Sequence, residues 1–344
     1  MDLLAGGRAA RAVYRAVRGV ALAGIASRPA MRVARLFGVR KATVFMLHRF
    51  HEGGDAMPGT DVRMLRQMLS TLRRQGVALL SLRELVAHIE SDRELTQPTA
   101  VFTVDDGYRD FAELAAPIFA GFDCVPTVFL ITEFVSGRQW NWWDRITDGF
   151  LHSPRPDLSI TCDSRAFRYT LGPNEERRRN AGLFIEELKW VTDAARLHVV
   201  ESIGSYADVD LAPLPPQEYA PLTWSVVREL ERSGVEFGPH SRTHPILSRV
   251  DAAKARCEIG GSWTDLQREC RDPIPVFCYP NGTLDSFGPR EIRLVRESGL
   301  RSAVAFRCRY VNPKSCSADD LFRLSRFPMP ADLTTAAYIA SGMA

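Results

Sequence analysis

Two histidines stand four residues apart in the stretch GPHSRTHP, which covers residues 238–245. Imidazole nitrogens are common ligands of transition metals, although histidine pairs at this spacing also occur as ordinary surface or core residues. Pro245 disfavours helical geometry at His244, so we do not expect the pair to lie on one face of a helix. If both His240 and His244 bind a metal, one more protein ligand would complete a three-ligand site of the catalytic type.

Two adjacent carboxylates occur far upstream, in the stretch VDDGY at residues 104–108. Neighbouring residues of a strand point to opposite faces, so Asp105 and Asp106 can converge only where the strand breaks, and Gly107 permits such a break. Two carboxylates this close repel each other, but a cation would let one of them bind metal while the other stays ionised as a base. The alternative interpretation is an Asp-Asp-Gly turn that caps a helix.

Asp106 is the natural third ligand for the histidine pair, because it ends a different predicted strand. Two nitrogens and one oxygen suit a single divalent metal ion. Zinc is the first expectation, while cobalt, iron, nickel and manganese accept the same ligands.

Short apolar runs alternate with helix-like stretches from residue 42 onward, which predicts a parallel sheet. Polar residues follow four separate predicted strands, and a closed barrel would bring these strand ends to one rim. We therefore expect a distorted (β/α) barrel of about seven parallel strands. The polar residues at the strand ends are His48, Asp105 with Asp106, His240 and Asn281.

The alternation is interrupted at about residues 140–220. This stretch begins with WNWWD, continues through a charged helical segment, and ends in the proline-rich APLPPQEYAPL. It is predicted to be an inserted subdomain within a barrel that spans residues 42–344. Residues 1–41 form a separate basic segment with predicted helical character.

Charge and cysteine content limit the partners and the compartment. The 344 residues carry a net charge of +3, with 44 basic and 41 acidic side chains, so we expect no nucleic-acid partner. The basic segment at 1–41 has either a solvated face or a face for peripheral contact with an anionic membrane. Seven cysteines without CxxC spacing indicate reduced thiols, hence a cytoplasmic protein with membrane association left open.

TVDDGY and HSRTHP, in this order, resemble the first two motifs of the polysaccharide deacetylases. This family, carbohydrate esterase family 4, shares the chitooligosaccharide deacetylase homology domain. The stretches LTWSVVRELERSGVEFGPH, VFCYPNG and GLRSAVAF are similar to the same family, and the similarity covers about residues 42–135 and 220–327. The resemblance implies that Asp105 is the catalytic base and that Asp106, His240 and His244 bind the metal.

The third family motif reads Arg-any-Pro-Tyr, whereas the similar run here is CYPN, residues 278–281. The arginine that orients the base is missing, so another group must hold Asp105. The backbone amide of Asn281 can still act as an oxyanion donor, because that role needs no side chain. Tyr279 of the same run is a candidate substrate contact.

The last family motif ends in Leu-any-His, whereas the comparable stretch here is LSRFP, and no histidine follows His244. VFMLHRF resembles the first strand of a circularly permuted branch of the family, in which the acid histidine lies on that strand. The resemblance therefore implies that His48 is the general acid. A packed histidine at a strand end is the other interpretation.

The expected reaction removes an acetyl group from an N-acetylated sugar of a glycan, glycolipid or polysaccharide. Trp143 and Asp144 in WNWWD are candidate substrate contacts, although the tryptophans could instead pin the insertion to the barrel. Two other functions remain open. One is a different metal-dependent amide or ester hydrolase on the same site, and the other is a catalytically silent glycan-binding module.

Overall fold

The computed structural model describes residues 40–53 and 58–342. The predicted basic segment at 1–41 lies outside the described residues except for its last two positions. Within the described ranges, no helix has the length and apolar character that crossing a bilayer requires.

Strands and helices alternate along most of the chain. The strands are β1 (Ala42–Leu47), β2 (Phe50–His51), β3 (Thr60–Asp61), β4 (Ala78–Leu79), β5 (Thr99–Val104), β6 (Thr127–Leu130), β7 (Asp157–Cys162), β8 (Arg165–Thr170), β9 (Glu236–Pro239), β10 (Val276–Cys278), β11 (Ser302–Phe306) and β12 (Leu324–Pro328). The α-helices are α1 (Val62–Gln75), α2 (Leu82–Glu90), α3 (Ala116–Ala120), α4 (Thr132–Val135), α5 (Trp142–His152), α6 (Asn174–Leu188), α7 (Asp193–Ala207), α8 (Trp224–Arg232), α9 (Ala252–Glu269), α10 (Pro289–Glu297) and α11 (Leu333–Ala340).

Seven parallel strands form a nearly closed barrel in the order β10-β11-β12-β1-β5-β6-β9, and the short β4 pairs with β5 outside this path. The seam between β9 and β10 is bridged by a hydrogen bond of 2.8 Å from the Ile274 amide to the Phe237 carbonyl. Gly238 permits the close approach, since a Cβ atom there would lie 2.8 Å from the Val276 carbonyl oxygen. The predicted distorted (β/α) barrel is confirmed.

The strands that carry the central site are buried on both faces. All six residues of β5 are buried, which explains why TAVFTV is a continuous apolar run rather than an alternating one. The helices outside the barrel follow their sequence signals. In α1, the Asp61 side chain caps the first turn, and Gly76 ends the helix in a left-handed conformation.

The chain between β6 and β9 builds a subdomain on top of the barrel. The β7–β8 hairpin is antiparallel and packs with α5, α6 and α7 around an apolar core of its own. Lys254 of the barrel helix α9 ties this subdomain down, because its Nζ lies 2.6 Å from Asp193 Oδ2 at the start of α7. We call residues 140–220 the insertion.

Candidate active site

Asp106, His240 and His244 meet at the carboxyl ends of β5 and β9. The nearest carboxylate oxygen of Asp106 lies 3.5 Å from His240 Nε2 and 3.9 Å from His244 Nε2. All three side chains are buried, and one potential ligand atom of each lies within 4.8 Å of the others. The structure thus brings together the three residues that the sequence suggested as metal ligands.

His240 is oriented by a backbone carbonyl. Its Nδ1 lies 2.8 Å from the carbonyl oxygen of Cys278, which fixes Nδ1 as the protonated nitrogen. Nε2 therefore keeps its lone pair on the side that faces Asp106. A ring held in this way by a carbonyl is typical of metal-binding histidines in proteins.

A buried carboxylate on α9 holds the loop between the two histidines. Glu258 accepts hydrogen bonds from the backbone amides of Arg242 and Thr243, at 2.9 and 2.8 Å, and from the Thr243 hydroxyl at 2.6 Å. The His244 amide donates to Ser241 Oγ at 3.0 Å. These bonds satisfy the backbone of the loop and fix the direction of His244.

Four residues at this rim have a left-handed backbone that non-glycine residues rarely adopt. The φ angle is 76° at Asp106, 63° at Ser241, 57° at His244 and 59° at Asn281. Such conformations are costly and cluster at functional sites. The value at His244 agrees with the prediction that Pro245 would keep this residue out of a helix.

The ligand set fits a divalent cation on electrostatic grounds. Burial raises the pKa of Asp106 well above its ordinary value, and the nearby Asp105 and Asp144 carboxylates raise it further. Burial lowers the pKa of His240 to about 4 and that of His244 well below its usual range, so both imidazoles are neutral. His244 Nδ1 is buried without a hydrogen-bond partner. A positive ion would stabilise ionised Asp106 and accept two neutral imidazoles.

Arg326 supplies the group that must hold Asp105. From β12, its two terminal nitrogens bind the two Asp105 oxygens at 2.7 and 2.8 Å, and one of them also donates to Thr103 Oγ1 at 3.1 Å. Burial is the largest influence and would raise the pKa of Asp105, but the charge and hydrogen bonds of Arg326, together with His240 and His48, outweigh it and hold the pKa below its ordinary range. Asp105 is therefore ionised although it is only 2% exposed.

Sequence reasoning missed Arg326 because its position in LSRFP was considered only for a histidine. Cys278 stands where the family motif has its arginine, and its Sγ lies 3.1 Å from Arg326 Nη2. The guanidinium thus reaches the same carboxylate from a different strand. An arginine in the middle of a buried strand was the available signal, since a buried charge requires a partner.

Asp105, His240 and Cys278 form a second set of three potential ligands that lie close together. Asp105 is already bound on both oxygens by Arg326. Burial raises the pKa of the Cys278 thiol well above its ordinary value, so the sulfur stays protonated. The set with Asp106 is therefore the better metal site.

His48 follows β1 and faces the base. Its Nε2 lies 3.8 Å from Asp105 Oδ2, and its side chain is 45% exposed toward the cavity above the site. Enclosure by the protein lowers the pKa of His48, and the Asp105 carboxylate acts in the opposite direction. His48 can therefore exchange protons with a bound molecule without contact with the metal ligands.

A cavity of about 530 Å³ opens above these residues. Asn281 lies on its wall, and the side-chain nitrogen of Asn281 is buried without a hydrogen-bond partner. The barrel and the insertion both contribute to the lining. The lining residues include His48, Asp105, Asp106, Trp143, Lys189, Trp190, His240, His244, Arg249 and Asn281.

Trp143 lines the cavity and also supports a metal ligand. Its ring packs edge-on against His244 at a centroid distance of 4.6 Å, and its Nε1 donates to the Tyr108 hydroxyl at 2.9 Å. The Tyr108 hydroxyl donates in turn to Asp144 Oδ2 at 2.5 Å. Asp144 was a candidate substrate contact, but its carboxylate is hydrogen-bonded to Tyr108 and it is not part of the cavity lining.

One further expectation needs correction. Tyr279 was a candidate substrate contact, but its ring stacks on Phe287 at 3.9 Å and its hydroxyl donates to the Phe322 carbonyl in the core. Trp140, the first tryptophan of WNWWD, is 8% exposed and packs against Tyr219. Trp140 therefore packs the beginning of the insertion against its end.

Comparison with known families agrees with the motifs. Residues 191–301 match the family model for polysaccharide deacetylase, and this range contains HSRTHP and CYPN. No curated protein matches the sequence. The predicted resemblance to the polysaccharide deacetylases is confirmed.

Solved structures with the same fold include several deacetylases. The Streptococcus pyogenes deacetylase PplD in complex with acetate is 16% identical, with a TM-score of 0.56 over 88% of this chain and 98% of the other. IcaB from Ammonifex degensii is 13% identical, with a TM-score of 0.55 over 88% and 97%. The BpsB deacetylase domain from Bordetella bronchiseptica is 15% identical, with a TM-score of 0.51 over 84% and 96%. At these identities the likeness concerns the fold.

Proposed function

We propose that this protein is a metal-dependent deacetylase that removes the acetyl group from an N-acetylated sugar of a glycan. The proposal rests on two groups of side chains that lie next to each other at one rim of the barrel. Arg326 holds Asp105 as an ionised carboxylate. Beside it, Asp106, His240 and His244 offer one oxygen and two neutral nitrogens to a metal ion. A glycan-binding module has no need for a base beside a metal site.

Asp106, His240 and His244 are the residues that would hold the ion. When bound, a divalent cation supplies polarisation of the acyl carbonyl and acidification of the attacking water. The protein supplies the geometry, because the Cys278 carbonyl orients His240 and Glu258 fixes the loop that carries His244.

Asp105 takes the proton of the attacking water. Arg326 keeps the carboxylate ionised and fixes the direction of both oxygens. A carboxylate with a lowered pKa is a weaker base, so its contribution depends on a water that is itself acidified at the site. The bidentate contact with Arg326 therefore lowers the basicity of Asp105 but fixes the position of its carboxylate.

His48, once protonated, donates a proton to the departing amine. Because its pKa is lowered, it must gain this proton during turnover, and Asp105, which has taken the water proton and whose Oδ2 lies 3.8 Å from His48 Nε2, can pass it on. The His48 side chain is open to the cavity. The negative charge that develops on the acyl oxygen is stabilised by the backbone amide of Asn281, and one such donor is worth roughly 3–4 kcal/mol.

The substrate class follows from the family match and from the cavity. The cavity is shaped by aromatic and polar side chains from both the rim and the insertion, which suits a sugar with apolar faces and hydroxyl edges. The family match at residues 191–301 supports a polysaccharide rather than an unrelated amide.

Acetate release from N-acetylglucosamine oligomers tests the proposal. We expect the zinc-loaded protein to release acetate and Asp105→Asn to lose nearly all of this activity. Asp123→Asn is the matched control, because the same change is made at an exposed carboxylate outside the cavity lining. No acetate from any N-acetylated oligomer would reject the proposal.

A further inference from the structure

Trp190 is an exposed aromatic residue at the mouth of the cavity. It follows α6 in the insertion, is 57% exposed, and lines the same cavity as the proposed catalytic residues. A single exposed apolar residue is common on protein surfaces, so the position of Trp190 on the cavity lining is what points to a ligand contact. Its place on the cavity lining indicates that the contact is with the molecule that enters the site.

The barrel holds the Trp190 ring from one side. The guanidinium carbon of Arg249 lies 5.5 Å from the centroid of the ring, over its face. Among the described residues, Arg249 has no carboxylate partner. Its charge is therefore directed at the ring, which gives an attraction of roughly 0.5–1 kcal/mol at an exposed position.

The segment around Trp190 is also anchored to the barrel. Asp193, three residues later, pairs with Lys254 Nζ at 2.6 Å, and Val191 lies in the core of the insertion. The backbone that carries the ring is thus held in place before any ligand binds, and Arg249 contacts the ring itself. A rigid aromatic group loses little conformational entropy when it binds a ligand.

Polar side chains line the same cavity as the ring. Lys189 Nζ pairs with Glu186 at 2.6 Å, and Thr283, Asp285 and Ser286 of the barrel also contribute to the lining. Such donors and acceptors match the hydroxyl edge of a sugar, and the indole matches its apolar C–H face. This combination differs from the metal end of the same cavity, where the groups are buried.

We propose that Trp190, backed by Arg249, is the stacking platform of a subsite that binds the sugar next to the one that loses its acetyl group. This inference rests on the proposed function, because the first sugar must present its acetamide at the metal end. The second ring of the chain lies on the exposed face of Trp190. Arg249 is a positioning residue that holds the indole in place.

The test compares chain lengths. The ratio of kcat/KM for the N-acetylglucosamine tetramer to kcat/KM for the monomer is measured by acetate release. We expect a high ratio for the wild-type protein, a ratio about tenfold lower for Trp190→Ala, and an intermediate ratio for Trp190→Phe, because loss of one aromatic stacking contact is worth roughly this factor. Leu183→Ala is the matched control, since Leu183 is 54% exposed on α6 but is not part of the cavity lining.

Arg249→Gln tests the support of the ring. We expect a higher KM for the tetramer with kcat retained, and Arg249→Lys should restore most of the KM because a cation again faces the indole. A ratio in Trp190→Ala equal to that of the wild type would overturn the inference. If Trp190→Ala lowers kcat/KM by the same factor for the monomer and the tetramer, the ratio is unchanged and the inference is likewise overturned.

A binding measurement separates this inference from the proposed function. Calorimetric titration with the tetramer compares Asp105→Asn with the double variant Asp105→Asn and Trp190→Ala. Weaker binding by the double variant supports the subsite even if the wild-type protein releases no acetate, in which case only the proposed function fails. Equal affinities would reject the subsite even if acetate is released.

Discussion

The rim of the barrel and the insertion face each other across one cavity, but they are built differently. At the rim, Asp105, Asp106 and His240 are at most 4% exposed, and buried hydrogen bonds fix Asp105 and His240. On the insertion, Trp190 and Lys189 lie at the surface of a subdomain with its own core. The rim has the rigidity that proton transfer requires, whereas the insertion presents a replaceable surface for recognition.

This difference separates two kinds of substitution. Changes at the rim remove a charge or a ligand from a buried cluster, so they affect both chemistry and stability. Changes on the insertion remove a contact with solvent-exposed groups, so they affect the choice of substrate. If this division holds, the loss of acetate release should be largest for changes among the buried groups of the rim and smallest where the insertion meets the rim.

Loss of a metal ligand should have the largest effect. We expect His240→Ala to contain no stoichiometric metal and to lose activity by roughly a thousandfold or more, because several kcal/mol of transition-state stabilisation are lost at 1.36 kcal/mol per tenfold. Metal content is measured by mass spectrometry after mild loading, with His198→Ala on the insertion helix α7 as control. About one divalent ion per chain in His240→Ala would show that this imidazole is not a ligand.

Removal of the buried arginine should come second. Arg326→Met leaves Asp105 charged and unpaired, and breaking a buried pair in this way costs roughly 3–5 kcal/mol of unfolding free energy. Activity should fall as well, because both oxygens of the base lose their fixed direction. Urea denaturation and acetate release are measured on the same preparation.

Arg326→Lys gives the matched comparison, since a charge is retained without the two-pronged contact. It should recover much of the stability but little of the activity. Full activity in Arg326→Met would mean that Asp105 does not depend on this contact.

The sequence predicted the rim more completely than the insertion, and the reason is physical. Strand ends of a parallel barrel meet at one rim, so His48, Asp106 and His240 could be grouped without coordinates. Arg326 was missed because its role depends on a contact between strands 221 residues apart in the chain. Trp190 was missed because a single exposed tryptophan after a charged helix carries no periodic or motif signal.

The acid histidine should have the third largest effect. We expect His48→Ala to lower kcat by about a hundredfold, the lower end of the range for general acid catalysis, because the open cavity lets water replace part of the function. Metal content should be unchanged, since His48 is not among the ligands. Turnover equal to that of the wild type would remove His48 from the mechanism, and His51→Ala serves as control on the neighbouring strand β2.

A substitution of Asp144 should have the smallest effect on activity. Asp144 belongs to the insertion and binds Tyr108, which follows β5 of the barrel, so it reports on the contact between the two regions. Burial raises the pKa of Asp144 to about 7, while the ordinary value of an unfolded aspartate is about 3.9. Between these values the folded protein binds a proton that the unfolded chain has released, so this group's contribution to stability is complete below about pH 4 and is lost as pH rises toward 7. In chelator-treated protein, Asp144→Asn should therefore flatten the fall in unfolding free energy between about pH 4 and pH 7.

Asparagine is suited to this comparison because its side-chain oxygen can still accept the hydrogen bond from Tyr108. Asp157→Asn, on the exposed first position of β7, keeps the same change of charge on the insertion and should leave the pH dependence as in the wild type. If Asp144→Asn and the wild type show parallel curves, Asp144 is ionised throughout and Arg49, whose guanidinium lies over the Tyr108 ring at 4.0 Å, compensates its charge. At neutral pH, Asp144 in the insertion would then be held to the barrel by the charge of Arg49, and not by a proton bound to its own carboxyl group.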